Sequence, residues 1–212
     1  MAERTLANWA KNVRFSASEV FHPRSVDEVV AVVRRAVDSG KRCRVLGSMH
    51  SFNRQVDGGP GFVGISLSCL KGIGDVDAAL ATVRIQGGVT YGELCPVLDT
   101  RGYALHNLAS LPHVSVVGAV CNATHGSGVG NRNLAAAVVA MKLVDGQVRA
   151  LRAPLCAGEC NPLESRSAYL AHADTHHMGL FRDLSMTCLG TSSNKSLSAL
   201  GPAGSWLRSL SR

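Results

Sequence analysis

The stretch RVLGSMHSFN, residues 44–53, carries a short apolar strand directly into a loop of small and polar residues. A glycine- and serine-rich loop that leaves a strand can turn successive backbone N–H groups inward, and such a nest binds anions. A loop of this kind suits a pyrophosphate group. Because glycine and serine also make ordinary turns, both interpretations stay open for this loop taken alone.

A second loop region of the same character spans residues 109–130. It opens with ASLPH at residues 109–113 and closes with THGSGVG at residues 124–130. Between them, the small residues from 115 to 124 follow a stop at Pro112 and indicate a helix start, whose dipole adds to anion binding. Two such loops, each with a histidine, favour a phosphate cradle over two unrelated turns.

The first part of the chain predicts a β-α-β unit around the first loop. Ser25 and Glu28 form a capping box that satisfies the free N–H groups of a first helical turn, and Gly40 supplies the left-handed position that ends the helix. Short strands are predicted at residues 19–21, 44–46 and 61–66. The helix carries one apolar stripe at helical spacing, made of Val26, Val29, Val30, Val33 and Val37.

The second part of the chain repeats the order of strand, turn and helix. Residues 82–86 alternate as a strand. Thr90 with Glu93 then makes a second capping box, which predicts a helix that ends near Gly102. Helices set against sheets in this way predict an α+β fold.

The last regular pattern in the chain is a hairpin. Residues 136–145 predict an apolar strand, and Asp145-Gly146 signals the turn into residues 147–152. Beyond the hairpin, residues 153–212 hold no sustained period of 2 or of 3.6. We therefore expect an irregular tail of low order there.

Four residues of this tail nearly match the spacing of a zinc finger. Cys156 and Cys160 are followed, after eleven residues, by His172 and His176. That interval is one residue short, and the segment between the two pairs lacks the aromatic and leucine core that a finger needs in order to pack. We predict no metal site.

Composition excludes several classes of protein. The chain has 22 Lys+Arg against 15 Asp+Glu, a net charge of +7, but the basic residues are not gathered and only 5% of residues are aromatic, which disfavours nucleic-acid binding. Its seven cysteines include no CxxC pair, so reduced thiols in an intracellular compartment are expected. No membrane span or signal peptide is recognisable, and we expect a soluble, cytoplasmic protein.

Four motifs, taken in order, resemble the alditol, xylitol and aldonolactone oxidases, which are flavoproteins of the vanillyl-alcohol-oxidase type. The resemblance runs from about residue 8 to about residue 147, roughly two-thirds of the chain. The motifs are NWAKN at residues 8–12, GSMHSFN at 47–53, ASLPH at 109–113 and THGSGVGN at 124–131.

The resemblance implies a PCMH-type FAD-binding fold, rather than the Rossmann arrangement with its own glycine-rich turn. This fold has two α+β subdomains that hold the cofactor between them. The first subdomain would cover about residues 8–75, and the second, incomplete at its end, about residues 76–152.

The resemblance also implies which residues contact the cofactor. In the family, a histidine of the first loop is joined covalently to the flavin 8α-methyl group, and that position falls on His50. The neighbouring Gly47, Ser48 and Ser51 would contact the diphosphate. The isoalloxazine and ribityl groups would be lined by Ser110, Ser115, Gly118, Thr124 and His125.

Two residues of the second loop would lie at the reactive end of the flavin. Ala109 would sit near the C4a–N5 edge, where a small side chain leaves room for oxygen and favours an oxidase. Ser110 would also touch the substrate. Both roles are implied by the resemblance.

One position of the cofactor-binding loop departs from the family pattern. Met49 stands where relatives have glycine, between the serine and the attaching histidine. If this position needs a positive φ, methionine would strain the loop by about 1–2 kcal/mol and crowd the cofactor. Whether FAD is attached covalently therefore stays open.

The implied reaction is oxidation of the CH–OH group of a polyol or sugar lactone, with oxygen as acceptor and hydrogen peroxide as product. The family's substrate domain is not recognisable in this sequence, so we expect little or no turnover by this chain alone. Two alternatives stay open: a non-catalytic, truncated flavin-binding fragment, and a basic binding module.

Overall fold

The structure is a computed structural model that describes residues 4–144, 150–154, 180–187 and 189–190. It opens with a hairpin of two antiparallel strands, β1 (Arg4–Ala7) and β2 (Arg14–Ala17). Phe15 and Ala17 alternate on the buried side of β2. These two buried side chains hold the hairpin, and with it the N-terminal turn between its strands, against the rest of the protein.

The predicted β-α-β unit is confirmed and forms the first lobe. Strand β3 (Glu19–Phe21) is followed by helix α1 (Val26–Asp38) and strand β4 (Cys43–Leu46). Strand β5 (Val63–Ser66) inserts between β3 and β4, and both of its neighbours run parallel to it. The first loop therefore leaves the sheet at the carboxyl end of β4.

Helix α1 has the ends that the sequence predicts. The Ser25 hydroxyl accepts a hydrogen bond from the Glu28 backbone N–H at 3.2 Å. Gly40 adopts a φ of +62°, and its N–H donates to the Val37 carbonyl. These contacts satisfy backbone groups that the helix leaves free at its two ends.

The apolar stripe of α1 is confirmed except at its last residue. Val29 and Val33 are buried, but Val37 is 43% exposed. Ala36 takes the buried place instead, because it lies three residues after Val33 and so on the same helical face.

The second lobe is built on an antiparallel five-stranded sheet in the order β10-β9-β11-β7-β6. Two helices cover the sheet, and a separate two-stranded ladder lies outside it. The elements are β6 (Ile73–Asp77), β7 (Thr82–Gln86), α2 (Tyr91–Thr100), β8 (Tyr103–Ala104), α3 (Val116–Cys121), β9 (Val138–Val144), β10 (Ala150–Pro154), β11 (Leu180–Thr187) and β12 (Leu189–Gly190).

The predicted elements of this lobe are found with small shifts. The backbone N–H of Thr90 donates to the Glu93 carboxylate at 2.8 Å, as the second capping box predicts. The predicted hairpin is the antiparallel pair of β9 and β10. Strand β9 begins two residues later than expected, because residues 134–137 form a 3-10 turn capped by Asn133.

Strands β11 and β12 lie in the range 153–212, for which the sequence predicts an irregular tail. β11 pairs with β7 on one side and β9 on the other, and so joins the two halves of the sheet. Its register shifts between Phe181 and Asp183, and such an irregularity breaks the period of two on which sequence reasoning depends. The rest of the tail, with Cys156, Cys160 and the two histidines of the finger-like spacing, lies outside the described residues.

Three apolar clusters stabilise the two lobes. The second lobe has the largest, which joins α2 and α3 to the sheet, and the first lobe has two smaller ones under α1 and under β2. Within the described residues, no helix is long and apolar enough to span a membrane.

Candidate functional site

A cleft of about 650 Å³ lies between the lobes and is lined by both loop regions. From the first lobe it receives the end of β4 and the loop that follows. From the second lobe it receives the start of α2 and most of α3. Of the predicted site residues, it is lined by Gly47, Ser48, Met49, His50, Ser51, Ser115, Gly118 and Thr124.

The first loop leaves four successive backbone N–H groups without an acceptor in the described part of the chain, as an anion-binding loop requires. They are the backbone N–H groups of residues 48–51. Met49 adopts a φ of +56°, which meets the condition under which the sequence predicts a strained loop. Its side chain packs against the cluster formed by Phe15, Leu46 and their neighbours, so much of its bulk is directed to the core.

The His50 imidazole contacts two other aromatic rings. It is stacked on the indole of Trp9, with ring centroids 5.1 Å apart, and lies 4.6 Å from the His113 ring. Burial, and then the neighbouring His113, lower the pKa of His50 below its ordinary value. The imidazole is therefore held neutral at pH 7, with a ring nitrogen lone pair available to an electrophile.

Ser48 joins the first loop to the second. Its hydroxyl donates to the His113 carbonyl and accepts from the Ser115 backbone N–H, both at 2.9 Å. The single hydrogen of the Ser48 hydroxyl is already donated, so the backbone N–H of Ser48 is the donor that remains for a ligand.

Two glycines leave room for the hydroxyl of the buried Ser115. A Cβ atom on Gly118, in the same helix, would lie 2.6 Å from the Ser115 hydroxyl oxygen, too close for a side chain. A Cβ atom on Gly47, in the first loop, would lie 3.2 Å from the same atom, so the two loops meet in a tight contact there.

Sequence reasoning missed a polar chain that crosses the cleft. The Gln55 amide donates to the Ser51 hydroxyl at 2.7 Å and also to the Asn122 side-chain oxygen. Asn122 in turn donates to the Gly118 carbonyl at 2.7 Å. The only local signal was Asn53, whose side chain caps the 3-10 turn that carries Gln55.

The cleft also contains two cationic side chains that were not predicted. Lys71 lies on its wall and forms an ion pair with Glu93, with 2.7 Å between Nζ and Oε2. Arg44, on β4, lines the same space. Positive charge in a cleft favours an anionic ligand.

Three predicted site residues do not line this cleft. Ala109 is buried in the core of the second lobe, at 8% exposure. Ser110 is exposed. His125 is also exposed, and its ring contacts the carbonyl of its neighbour Gly126 at 3.1 Å. The structure therefore unites the loop next to β4 with α3, but it leaves these three residues apart.

Comparisons with known proteins agree with this geometry. The model of a family described as "FAD binding domain" matches residues 17–153. The chain is 46% identical to an alditol oxidase of Streptomyces sp. over 139 residues, which are 66% of this chain and 33% of that protein. It is 31% identical to the L-gulonolactone oxidase of Mus musculus over 172 residues, 81% of this chain and 37% of that protein.

A further relative and a solved structure extend these matches. An L-gulono-1,4-lactone dehydrogenase of Mycobacterium tuberculosis is 34% identical over 140 residues, 65% of this chain and 32% of that protein. A solvent-stable cholesterol oxidase superposes with a TM-score of 0.69 at 20% identity, over 89% of this chain and 37% of that one. The chain thus spans about a third of the length of the relatives it matches.

Proposed function

We propose, from the premise that this chain belongs to the FAD-binding domain family, that it serves an oxidase acting on the CH–OH group of a polyol or sugar lactone. Its fold is the PCMH-type FAD-binding fold, and its cofactor is FAD. The observation that carries the proposal is the single cleft into which the first loop and α3 both open. The similarity to alditol and gulonolactone oxidases supports the substrate class.

The first loop would hold the diphosphate of FAD. The backbone N–H groups of residues 48–51 are free to donate to phosphate oxygens, since they have no acceptor in the described part of the chain. Lys71 and Arg44, which line the same cleft, would offset the negative charge. Together they fit an anion better than an apolar ligand.

His50 would be the residue attached to the flavin. A bond from its neutral imidazole to the 8α carbon would replace one C–H bond of the methyl group; one proton from that carbon and one from the imidazole would leave, and the two electrons would pass to the flavin and then to oxygen. The contact with Trp9, with ring centroids 5.1 Å apart, restricts the motion of the imidazole. The restriction lowers the entropy that attachment would otherwise cost.

FAD, when bound, supplies the acceptor for the substrate's hydride and the reactivity towards oxygen. This chain's residues would contribute binding, orientation and exclusion of water. Ser115, Gly118 and Thr124 would line the flavin from the side of α3. For Ala109 and Ser110, which do not line this cleft, roles at the reactive edge rest on the resemblance alone.

A second candidate function is a flavin-binding fragment without turnover. It is favoured by one observation, that the matching family model, over residues 17–153, describes FAD binding alone. Under this candidate the chain would bind and orient FAD, and the groups that orient the polyol and assist removal of its proton would lie outside the described cleft. We expect the chain to work where thiols stay reduced, such as the cytoplasm, since Cys43, Cys69 and Cys95 are thiols rather than halves of a disulfide.

A visible spectrum of the purified chain tests the proposal. Bound flavin gives absorption in the visible range, and its absence in a folded chain would reject FAD binding. Peroxide formation with xylitol, sorbitol or an aldonolactone separates an oxidase from a flavin-binding fragment, which would be coloured but inactive. A colourless protein that shifts DNA would instead support the basic binding module.

A further inference from the structure

We propose that Asn8 is a positioning residue for the first loop, which orients the loop's peptide groups so that their N–H groups face the cleft. The inference rests on the proposed function, because it concerns the same FAD site. It gives a role to the NWAKN motif at residues 8–12, which the cleft itself leaves unexplained.

The side chain of Asn8 is buried, at 2% exposure, and uses each of its polar groups. Its oxygen accepts from the Val13 backbone N–H at 3.0 Å. Its amide nitrogen donates to the Ser51 carbonyl at 2.9 Å and to the Asn12 side-chain oxygen at 2.6 Å. One buried amide thus links the N-terminal turn to a loop more than forty residues away.

The neighbouring residue fixes a second carbonyl of the same loop. The Trp9 backbone N–H donates to the Met49 carbonyl at 2.8 Å. The Met49 and Ser51 carbonyls therefore both point to the N-terminal turn, one on each side of His50. In a planar trans peptide the N–H points opposite to the C=O, so the N–H groups of His50 and Phe52 point away from the turn.

These contacts also explain how a methionine can hold a left-handed backbone. An L residue in that region costs about 1–2 kcal/mol relative to ordinary conformations. Such strain persists only where surrounding contacts determine it. Here the carbonyl of Met49 is held by Trp9 and that of Ser51 by Asn8.

The Asn8→Asp variant separates positioning from support of the hairpin. It keeps an oxygen to accept from Val13, but it replaces the donor to the Ser51 carbonyl with a second oxygen. At neutral pH we expect FAD binding to weaken by about tenfold or more, because a carboxylate then faces a carbonyl. The readout is the FAD dissociation constant, measured by titration of the flavin-free full chain; all variants and the wild-type reference carry His50→Ala, so that the proposed covalent bond cannot form and binding stays reversible.

The pH profile of this variant gives a second readout. A protonated carboxyl carries an O–H donor, so FAD affinity relative to wild type should recover as pH falls and the introduced carboxylate gains its proton. Asn8→Ala should show no recovery, because it has no donor at any pH. If the ratio of FAD affinity, variant to wild type, did not change with pH for either variant, the inference would be contradicted.

Ser25→Ala is the matched control for a loss of stability alone. It removes the cap of α1, outside the cleft, at a cost of about 1 kcal/mol. We expect its FAD affinity to equal that of wild type. If it lost as much affinity as Asn8→Asp, the Asn8 effect would be one of stability and the inference would be wrong.

The outcomes also separate this inference from the function on which it rests. Failure of the folded wild type to bind FAD rejects the proposed function. Binding by wild type and equally by Asn8→Asp rejects the positioning role alone. If Asn8→Asp does not fold, Asn12→Ala takes its place as the test. This variant removes the exposed hydrogen-bond partner of Asn8 and a 3.2 Å hydrogen bond to the Phe52 carbonyl. We expect it to bind FAD about threefold more weakly, and unchanged binding would overturn the inference.

Discussion

The two loop regions that were predicted together differ in how firmly the fold holds them. The first loop is fixed on three sides: by Asn8 and Trp9 through its carbonyls, by the ring stack at His50, and by Ser48 through the second lobe. The segment at residues 126–130 is exposed throughout, and a Cβ on Gly126 or Gly130 would meet nothing within 4 Å.

This difference separates two uses of glycine that look alike in sequence. Gly118 leaves room for the hydroxyl of Ser115 at the start of its own helix, whereas Gly126 has open space around it. We infer that the preorganised first loop contributes most of the affinity for the cofactor, since ordering a loop on binding costs free energy. Substitutions in the two regions should therefore have unequal effects.

The largest effect is expected at His50. In the His50→Ala variant, flavin that resists acid precipitation should be lost completely, because the nitrogen proposed to attach it is gone. His125→Ala, in the exposed loop, should retain it. Absorbance of the acid-precipitated and redissolved protein checks both, and retained colour in His50→Ala would show that the attachment is elsewhere.

A glycine pair gives the next largest contrast. Gly118→Ala places a methyl group 2.6 Å from the Ser115 hydroxyl, so we expect about 1–3 kcal/mol of lost stability and weaker FAD binding. Gly126→Ala should change stability by less than about 0.5 kcal/mol. Chemical denaturation and FAD titration of both variants measure this, and equal losses would remove the distinction between the loops.

Met49 tests the strain in the first loop. At most positions alanine is more stable than glycine, by about 0.5–1 kcal/mol. Because the φ of Met49 is +56°, Met49→Gly should instead be more stable than Met49→Ala, by about 1 kcal/mol. Both variants lose the same packing, so the difference in their free energies of unfolding isolates the backbone. If Met49→Ala were instead more stable than Met49→Gly, the loop would not be strained at this position.

A smaller effect concerns pH. The pKa of His50 is lowered by burial and by His113, so the unfolded chain binds this proton more readily. The stability that the neutral His50 imidazole contributes is therefore present above the ordinary pKa of 6.5. It is lost as the pH falls through the lowered pKa that His50 has in the folded chain. In His113→Gln, the midpoint of the His50 NMR titration should rise towards 6.5, and an unchanged midpoint would exclude coupling of the two rings.

The fold was predictable where local chemistry decides it. Ser25 and Thr90 are each followed three residues later by a glutamate, Glu28 or Glu93, and this capping-box pattern predicts a helix start. The structure has a helix at both places. The left-handed Met49 was likewise foreseeable, from comparison with the glycine of its relatives. The two helix starts depend on residues three positions apart, whereas the prediction for Met49 rests on the resemblance.

The remaining features depend on contacts between distant residues. Nothing near Gln55 shows that its amide will meet Asn122, and the burial of Ala109 follows from packing of the second lobe. Strand β11 has an irregular register and is stabilised by pairing with β7 and β9. Sequence patterns of one segment do not contain such information.

Titration with FAD of the folded chain, purified free of flavin, tests the central claim most directly. We expect saturable uptake of one FAD per chain, with a change in flavin absorbance and fluorescence as the ring system enters the cleft. A chain whose circular dichroism shows the expected mixture of helix and strand, but which takes up no FAD at any concentration, would contradict the account.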